Sequence, residues 1–186
     1  MGFLLVFALV PLLVVAWAIG LYNGLVRLRV QVESAWKQID VQLKRRHDLI
    51  PNLVNTVKGL MKFEQETLGK VMEARAKAVG ATTVAEKSAA ESALSQSIGR
   101  FLAVVENYPD IKSNQSVLKL QEELTTTENQ IGFSRQHYND LVMRFNTQQQ
   151  IFPASLVAGM FGFKPAEFLQ IEAGERAVPS VDLSLT

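Results

Sequence analysis

The sequence predicts an all-α protein, with an N-terminal transmembrane helix followed by an antiparallel four-helix-type bundle of long helices. Two observations predict this fold. The first 21 residues carry no charged side chain and are almost wholly apolar. Beyond them, apolar residues recur at steps of three, four and seven, which is the spacing of helix faces that pack on other helices. A short alternating pattern near the C-terminus, within residues 175–186, predicts an extended strip lying against the bundle.

Residues 1–21 are long enough for a membrane anchor, since about 20 apolar residues span the hydrocarbon core of a bilayer. A secretory signal peptide is the alternative, because Ala16-Trp17-Ala18 resembles a small-x-small cleavage site. A basic n-region is missing, however, and the stretch runs directly into an amphipathic helix at Tyr22. We therefore predict that residues 1–21 anchor the chain in the lipid bilayer and that residues 22–186 form one helical domain.

The charges around this segment predict its orientation. Arg27 and Arg29 follow it at once, whereas the preceding side offers only the α-amino group. Positively charged flanks stay in the cytoplasm. The prediction is a single-pass protein of the plasma (inner) membrane, with its N-terminus outside and its bundle in the cytoplasm.

The first amphipathic helix carries an apolar stripe with one gap. The stripe consists of Leu25, Leu28, Val32, Trp36, Ile39, Leu43, Ile50, Val54 and Val57. The gap is at His47, and Pro51 four residues later has no N–H to give the His47 carbonyl, which predicts a kink. Arg46 belongs to the inward-facing series. We expect it to pair with a carboxylate of another helix, Glu123 or Glu128; the alternative is that residues 44–52 dock another protein or an acidic lipid.

The middle of the chain predicts either one long helix with a weak point near Gly80 or two helices. Leu68, Met72, Arg75 and Val79 share one face, with Val71 flanking it. Residues 81–83 are weak helix formers, and the pattern resumes at Val84. The resumed stripe consists of Ala89, Ala93, Leu94, Ile98, Phe101, Leu102 and Val105. The sequence Tyr108-Pro109 ends it.

A last long helix is predicted from Ser113 or Asn114 to about Gln149. Its heptad positions are Val117, Leu124, Ile131, Tyr138 and Phe145, so it should pack along the first long helix. Thr127 and Ser134 fill the remaining d positions of this helix with small side chains that carry hydroxyl groups. These small side chains leave room for a bulky residue opposite, and Trp36 is the candidate. A short helix over residues 153–160, ended by Gly162, precedes an aromatic patch of Phe161, Phe163 and Phe168, which either covers the core or mediates self-association.

The residue types exclude most catalytic chemistry. There is no cysteine and there are only two histidines. A di-metal bundle needs Glu-x-x-His, but Lys44 and Ser134 stand three residues before His47 and His137. Neither a G-x-S-x-G elbow nor a glycine-rich phosphate loop is present. We therefore predict no catalytic residues, no metal and no cofactor. The net charge of +1 argues against a nucleic-acid partner.

Several motifs resemble the LemA family across nearly the whole chain. The densest is AW-x-QID-VQLKRR-x-DLIPNLV-x-x-VKG over residues 35–59. Further matches are Tyr22-Asn23, Leu25, Glu106-Asn107-Tyr108-Pro109, Leu120-Gln121, Glu123-Leu124, Thr127-Glu128-Asn129, Arg135, Tyr138-Asn139, Phe152-Pro153, residues 161–163 and Pro179. Where the family has an aromatic residue followed by His-Glu after Gly59, this chain has Leu60 to Glu64, so it lacks that histidine.

The resemblance implies a membrane-anchored four-helix protein without an established reaction. We predict a non-catalytic structural or interaction module that contacts other membrane or membrane-proximal proteins, with a homo-oligomer as one option. Its candidate signature residues are Trp36, Asp40, Arg45, Arg46, Asp48, Pro51, Asn52, Tyr138 and Asn139. One alternative is a self-assembling, membrane-remodelling scaffold. Another is a bundle enzyme or cofactor carrier with a site around Trp36, Asp40, Arg46 and Tyr138.

Overall fold

The computed structural model describes residues 2–58 and 65–169, with side chains from residue 9 onwards. The elements in these ranges are α1 (Gly2–Lys58), α2 (Gln65–Gly80), α3 (Val84–Val105), α4 (Pro109–Lys112), α5 (Gln115–Gln150) and α6 (Ala154–Met160). No strand occurs within the described ranges, and the all-α prediction is confirmed. The turn predicted at Gly59 and the extended strip over residues 175–186 lie outside the described residues.

Helix α1 continues without interruption from the apolar N-terminal segment into the amphipathic stretch. Its 57 residues correspond to roughly 85 Å of helix. The described part of the apolar segment is exposed, with Leu12 at 68 % and Trp17 at 55 %. It is long and apolar enough to cross a membrane. Helix α1 also continues through Pro51, and the kink there stays a prediction.

The chain divides into two compact units, the first comprising Met1–Arg46 and Thr125–Phe168. Here α1 and α5 run antiparallel. Trp36 contacts Tyr138 and Arg46 contacts Glu128. The contact residue on α1 thus moves ten residues forward while its partner on α5 moves ten residues backward, as in an antiparallel pair. The predicted side-by-side pairing of the two long helices is confirmed.

The second unit comprises His47–Leu124 and Leu169–Thr186. Its core draws buried residues from the end of α1, from α2, α3 and α4, and from the start of α5, for example Val57, Val71, Phe101, Ile111 and Val117. Four longer helical segments therefore surround one core, as the four-helix prediction requires.

Helices α2 and α3 form a hairpin, so the middle of the chain is two helices rather than one. The break follows Gly80, where the sequence placed the weak point. Thr83 caps α3: its hydroxyl accepts from the Glu86 N–H, and the Glu86 carboxylate accepts from the Thr83 N–H. Such a reciprocal capping box fixes the start of a helix. The hydrogen bond from the Thr83 backbone, more than any other contact, lowers the pKa of Glu86.

Three details of the middle segment were predicted wrongly. The buried residues of α2 are Leu68, Val71 and Ala78, whereas Val79 is 57 % exposed. Residues seven apart nearly share a face at 100° per residue, so Ala78 follows the buried Val71 inward. Val79 is turned a further 100° around the helix. In α3, Ala89 and Ala93 are exposed while Glu91 is buried.

The predictions for α5 and α6 are confirmed to within two residues at each boundary. The heptad positions Val117, Leu124, Ile131, Tyr138 and Phe145 are all buried. Helix α6 ends at Met160, and Gly162, two residues later, adopts the left-handed φ of 66°. The Phe163 N–H donates to the Ala158 carbonyl and the Gly162 N–H to the Gly159 carbonyl, the pattern of a Schellman cap. The short α4 was not predicted.

Candidate functional site

Arg46 is the most deeply buried charged residue of the predicted signature. Its side chain is 0 % exposed, and Nη1 donates to both carboxylate oxygens of Glu128 at 2.7 and 2.9 Å. Arg46 lies on the inward series of α1, and Glu128 lies on α5 next to the buried Thr127. Glu123 and Glu128 were the two predicted partners of Arg46, and the structure shows the contact with Glu128. This charge-assisted contact ties α1 to α5.

Trp36 and Tyr138 form the next contact between the same two helices. Their ring centroids are 5.4 Å apart and the rings are tilted by 59°. Tyr138 is 4 % exposed, and its hydroxyl donates to the Glu167 carbonyl at 2.9 Å. Burial, and then the charge of Glu167, raise the pKa of Tyr138. Trp36 is half-buried rather than enclosed in the core.

The segment after α6 is held to α5 by a paired hydrogen bond. The Asn146 side-chain amide donates to the Ala166 carbonyl at 2.9 Å and accepts from the Ala166 N–H at 2.8 Å. Together with the Tyr138 contact to Glu167, it fixes two consecutive residues of the segment that follows α6. Asn146 was not singled out from the sequence, because an asparagine on a helix carries no signal for a distant backbone partner.

Pro51 leaves the His47 carbonyl without its usual helical donor, and Arg75 of α2 takes that place. The Arg75 Nε–H donates to the carbonyl at 2.7 Å. The His47 imidazole faces α3, where its Nε2 lies 2.9 Å from Oε1 of the buried Glu91. This distance suits an ion pair when the imidazole is protonated. His47 therefore contacts both α2 and α3 of its unit.

The other signature residues do not converge on one point. Arg45, Asp48 and Asn52 are exposed. Asp40 and Asn139 are half-buried. The exposed residues of the 44–52 segment thus present charged and amide groups outward, while Arg46 and His47 turn inward. Among the described residues, no group of three or more His, Cys, Asp or Glu side chains is placed to hold a metal ion.

A groove lies between α2 and α3 in the second unit. It has a volume of about 980 Å³ and is open along one side. Alanines form much of its lining, including Ala74, Ala89, Ala90 and Ala93. Charged residues of both signs border it: Lys70, Glu73, Lys77, Glu86 and Arg100. Sequence reasoning assigned Ala89 and Ala93 to the core and so missed this surface.

These features define a class of protein: a helical, membrane-associated bundle whose polar signature residues join helices to one another. The LemA family model matches residues 35–183, and the chain belongs to the LemA family.

Individual relatives are more distant. The chain is 28 % identical to "Protein LemA" of Metamycoplasma hominis over 142 residues, which cover 75 % of this chain and 64 % of that protein. It is 25 % identical to "Magnetosome protein MamQ 2" of Paramagnetospirillum magneticum over 175 residues, covering 80 % and 64 %. It is 23 % identical to "Magnetosome protein MamQ" of Magnetospirillum gryphiswaldense over 173 residues, covering 79 % and 64 %. The matches thus span less than two thirds of each relative.

Proposed function

We propose that this protein is a membrane-anchored, non-catalytic interaction module whose α2–α3 groove holds a helix of a partner protein. The observation that carries the proposal is the groove itself. Its alanine lining presents methyl groups rather than long side chains. A helix of about 10–12 Å diameter can therefore approach the backbones of α2 and α3 closely.

The charges around the groove favour a protein over other occupants. Lys70, Lys77 and Arg100 line it together with Glu73 and Glu86. A polyanion such as nucleic acid or an acidic lipid surface requires a predominantly positive border. Mixed charges instead complement a helix that carries both signs, and they set its register.

The use of the buried polar residues supports a non-catalytic role. An enzyme or cofactor site around Trp36, Asp40, Arg46 and Tyr138 would need the reactive groups to reach a substrate. Arg46 is fully buried against Glu128. The Tyr138 hydroxyl is taken by the Glu167 carbonyl. Both groups thus serve contacts within the protein.

We further propose that the protein crosses the inner membrane once, with the bundle in the cytoplasm. Arg27 and Arg29 after the apolar segment support this orientation. Protease added to intact spheroplasts should leave the bundle undigested and should digest it after lysis. Digestion of the bundle before lysis would overturn the orientation.

Site-specific photo-crosslinking in native membranes tests the groove. A photoreactive amino acid replaces Ala93 inside the groove, and for comparison it replaces Lys119, an exposed residue of α5 in the same unit. We expect a defined protein adduct from position 93 and none from position 119. The adduct should map by mass spectrometry to a helix of the partner, and it should disappear when Ala89→Trp fills the groove.

Two results would overturn the proposal. One is an internal crosslink from position 93 to this chain's own C-terminal residues 170–186, because the groove would then be filled from within. The other is an adduct that persists unchanged in the Ala89→Trp variant, because the partner would then contact another surface.

A further inference from the structure

An uncharged segment next to the membrane-spanning helix exposes several large apolar side chains. Residues 151–163 read IFPASLVAGMFGF and contain no charged residue. Five of them are more than half exposed: Ile151 at 51 %, Phe152 at 75 %, Leu156 at 60 %, Met160 at 81 % and Phe161 at 62 %. Contiguous exposed apolar surface of this kind marks a contact with another apolar phase.

Helix α6 has two apolar faces, and the first unit covers only one of them. Ala154, Val157 and Ala158 are buried, and the last two pack in a cluster with Leu25 of α1. Leu156 and Met160 are four residues apart and therefore share another face, which is exposed. A helix that is apolar on all sides is normally buried in protein or in lipid.

The segment is fixed beside the residue where α1 leaves its apolar stretch. The ring of Tyr22 lies 4.7 Å from that of Phe161 and 5.8 Å from that of Phe163. Phe163 also contacts Phe145 at 6.3 Å, and the Arg29 guanidinium lies 5.6 Å from its ring centroid. Tyr22 immediately follows the uncharged residues 1–21, which is where interfacial aromatic residues lie in membrane proteins. Phe161 is therefore fixed beside the end of the uncharged apolar stretch.

We propose that residues 151–161 are a second membrane contact, which lies in the bilayer surface beside the transmembrane helix and inserts Phe152, Leu156, Met160 and Phe161 among the acyl chains. Interfacial helices bury their apolar face to a depth of about 5–10 Å. Arg29 and Lys164 border the segment, so their cations stand at headgroup level. The lipid surface is favoured over a second copy of the chain because the exposed residues continue the apolar surface of the span itself. This inference requires the anchor but not the groove function.

Lipid quenching of a single probe tests the proposal on the full chain. The chain has no cysteine, so Met160→Cys accepts one environment-sensitive fluorophore after reconstitution into phosphatidylcholine vesicles. The control is Phe133→Cys on α5, which replaces an equally apolar side chain that is 69 % exposed. Position 133 lies about 18 Å along the helix from Phe145. Circular dichroism checks that both labelled chains keep their helix content.

The proposal predicts blue-shifted emission at position 160 and severalfold stronger quenching by bilayer lipids with a shallow doxyl group than at position 133. Blue-shifted emission without lipid quenching would assign the segment to a contact between copies and overturn the proposal. Water-like emission at position 160 would overturn it as well. Leu156→Cys supplies a second inserted position with the same expected result.

Discussion

Removing the charge of Glu128 should destabilise the bundle, because it takes away the carboxylate that accepts from Nη1 of a buried guanidinium. Arg46 is 0 % exposed and its Nη1 donates to both Glu128 oxygens. Removing one partner of a fully buried ion pair costs about 3–5 kcal/mol. The Glu128 side chain is 32 % exposed, so water screens part of the interaction. We therefore expect Glu128→Gln to lower the free energy of unfolding by about 2–3 kcal/mol.

Chemical denaturation of the full chain in lipid nanodiscs, followed by circular dichroism, measures this loss. The midpoint should fall while the slope stays constant, since the surface exposed on unfolding is unchanged. Glu122→Gln on the exposed face of α5 is the matched control and should change stability by less than about 0.5 kcal/mol. In the Glu128→Gln background, Arg46→Met should recover part of the loss, because the buried charge that Glu128 contacted is removed as well.

A Glu128→Gln variant as stable as the Glu122→Gln control would refute this reasoning. It would mean that the Arg46 guanidinium reaches water or another carboxylate without loss. A variant Arg46→Met that keeps its stability and oligomeric state but loses a measurable turnover would contradict the non-catalytic proposal instead.

Two further contacts give predictions of their own. Arg75→Met should lower the free energy of unfolding by about 1–2 kcal/mol, because the carbonyl freed by Pro51 loses a charged donor. Arg75→Met should cost less free energy of unfolding in a Pro51→Ala background, because the N–H of residue 51 can then donate to this carbonyl. A double-mutant cycle measures the difference. Equal costs in both backgrounds would show that Arg75 and residue 51 do not share the carbonyl. Tyr138 has a raised pKa, so the folded state holds its proton more tightly than the unfolded state, and stability should fall as pH rises above the ordinary value of 10.0. Tyr138→Phe should flatten that alkaline loss in pH-dependent denaturation while Tyr108→Phe leaves it intact; identical pH profiles would contradict the assignment.

Helix periodicity predicted the contacts that run between the long helices. Arg46 occupies an inward position of a regular stripe, which places its guanidinium against α5 whatever the details of packing. The heptads of α5 likewise required Tyr138 to lie inward, and it does. Positions of this kind are predictable because the turn of the helix alone fixes which side they face.

Contacts that depend on a second, independent element were not predictable from one helix. The sequence showed that Pro51 frees a carbonyl but not that Arg75 would donate to it, because the donor sits 28 residues away on another helix. The sequence predicts Ala89 and Ala93 in the core, because the spacing of apolar residues cannot distinguish a buried alanine from one that lines a groove. The exposed face of α6 was missed for a related reason: a run without charges does not show which side the protein covers.

The accessibility of the α2–α3 groove in its native membrane tests the central proposal most directly. In the cysteine-free chain, Ala93→Cys reports on the groove and Lys119→Cys reports on an exposed surface of the same unit. The account predicts that maleimide labels position 93 much more slowly in native membranes than in the purified protein, whereas position 119 reacts equally in both. Equal labelling of position 93 in both preparations would show that no partner occupies the groove and would contradict the account.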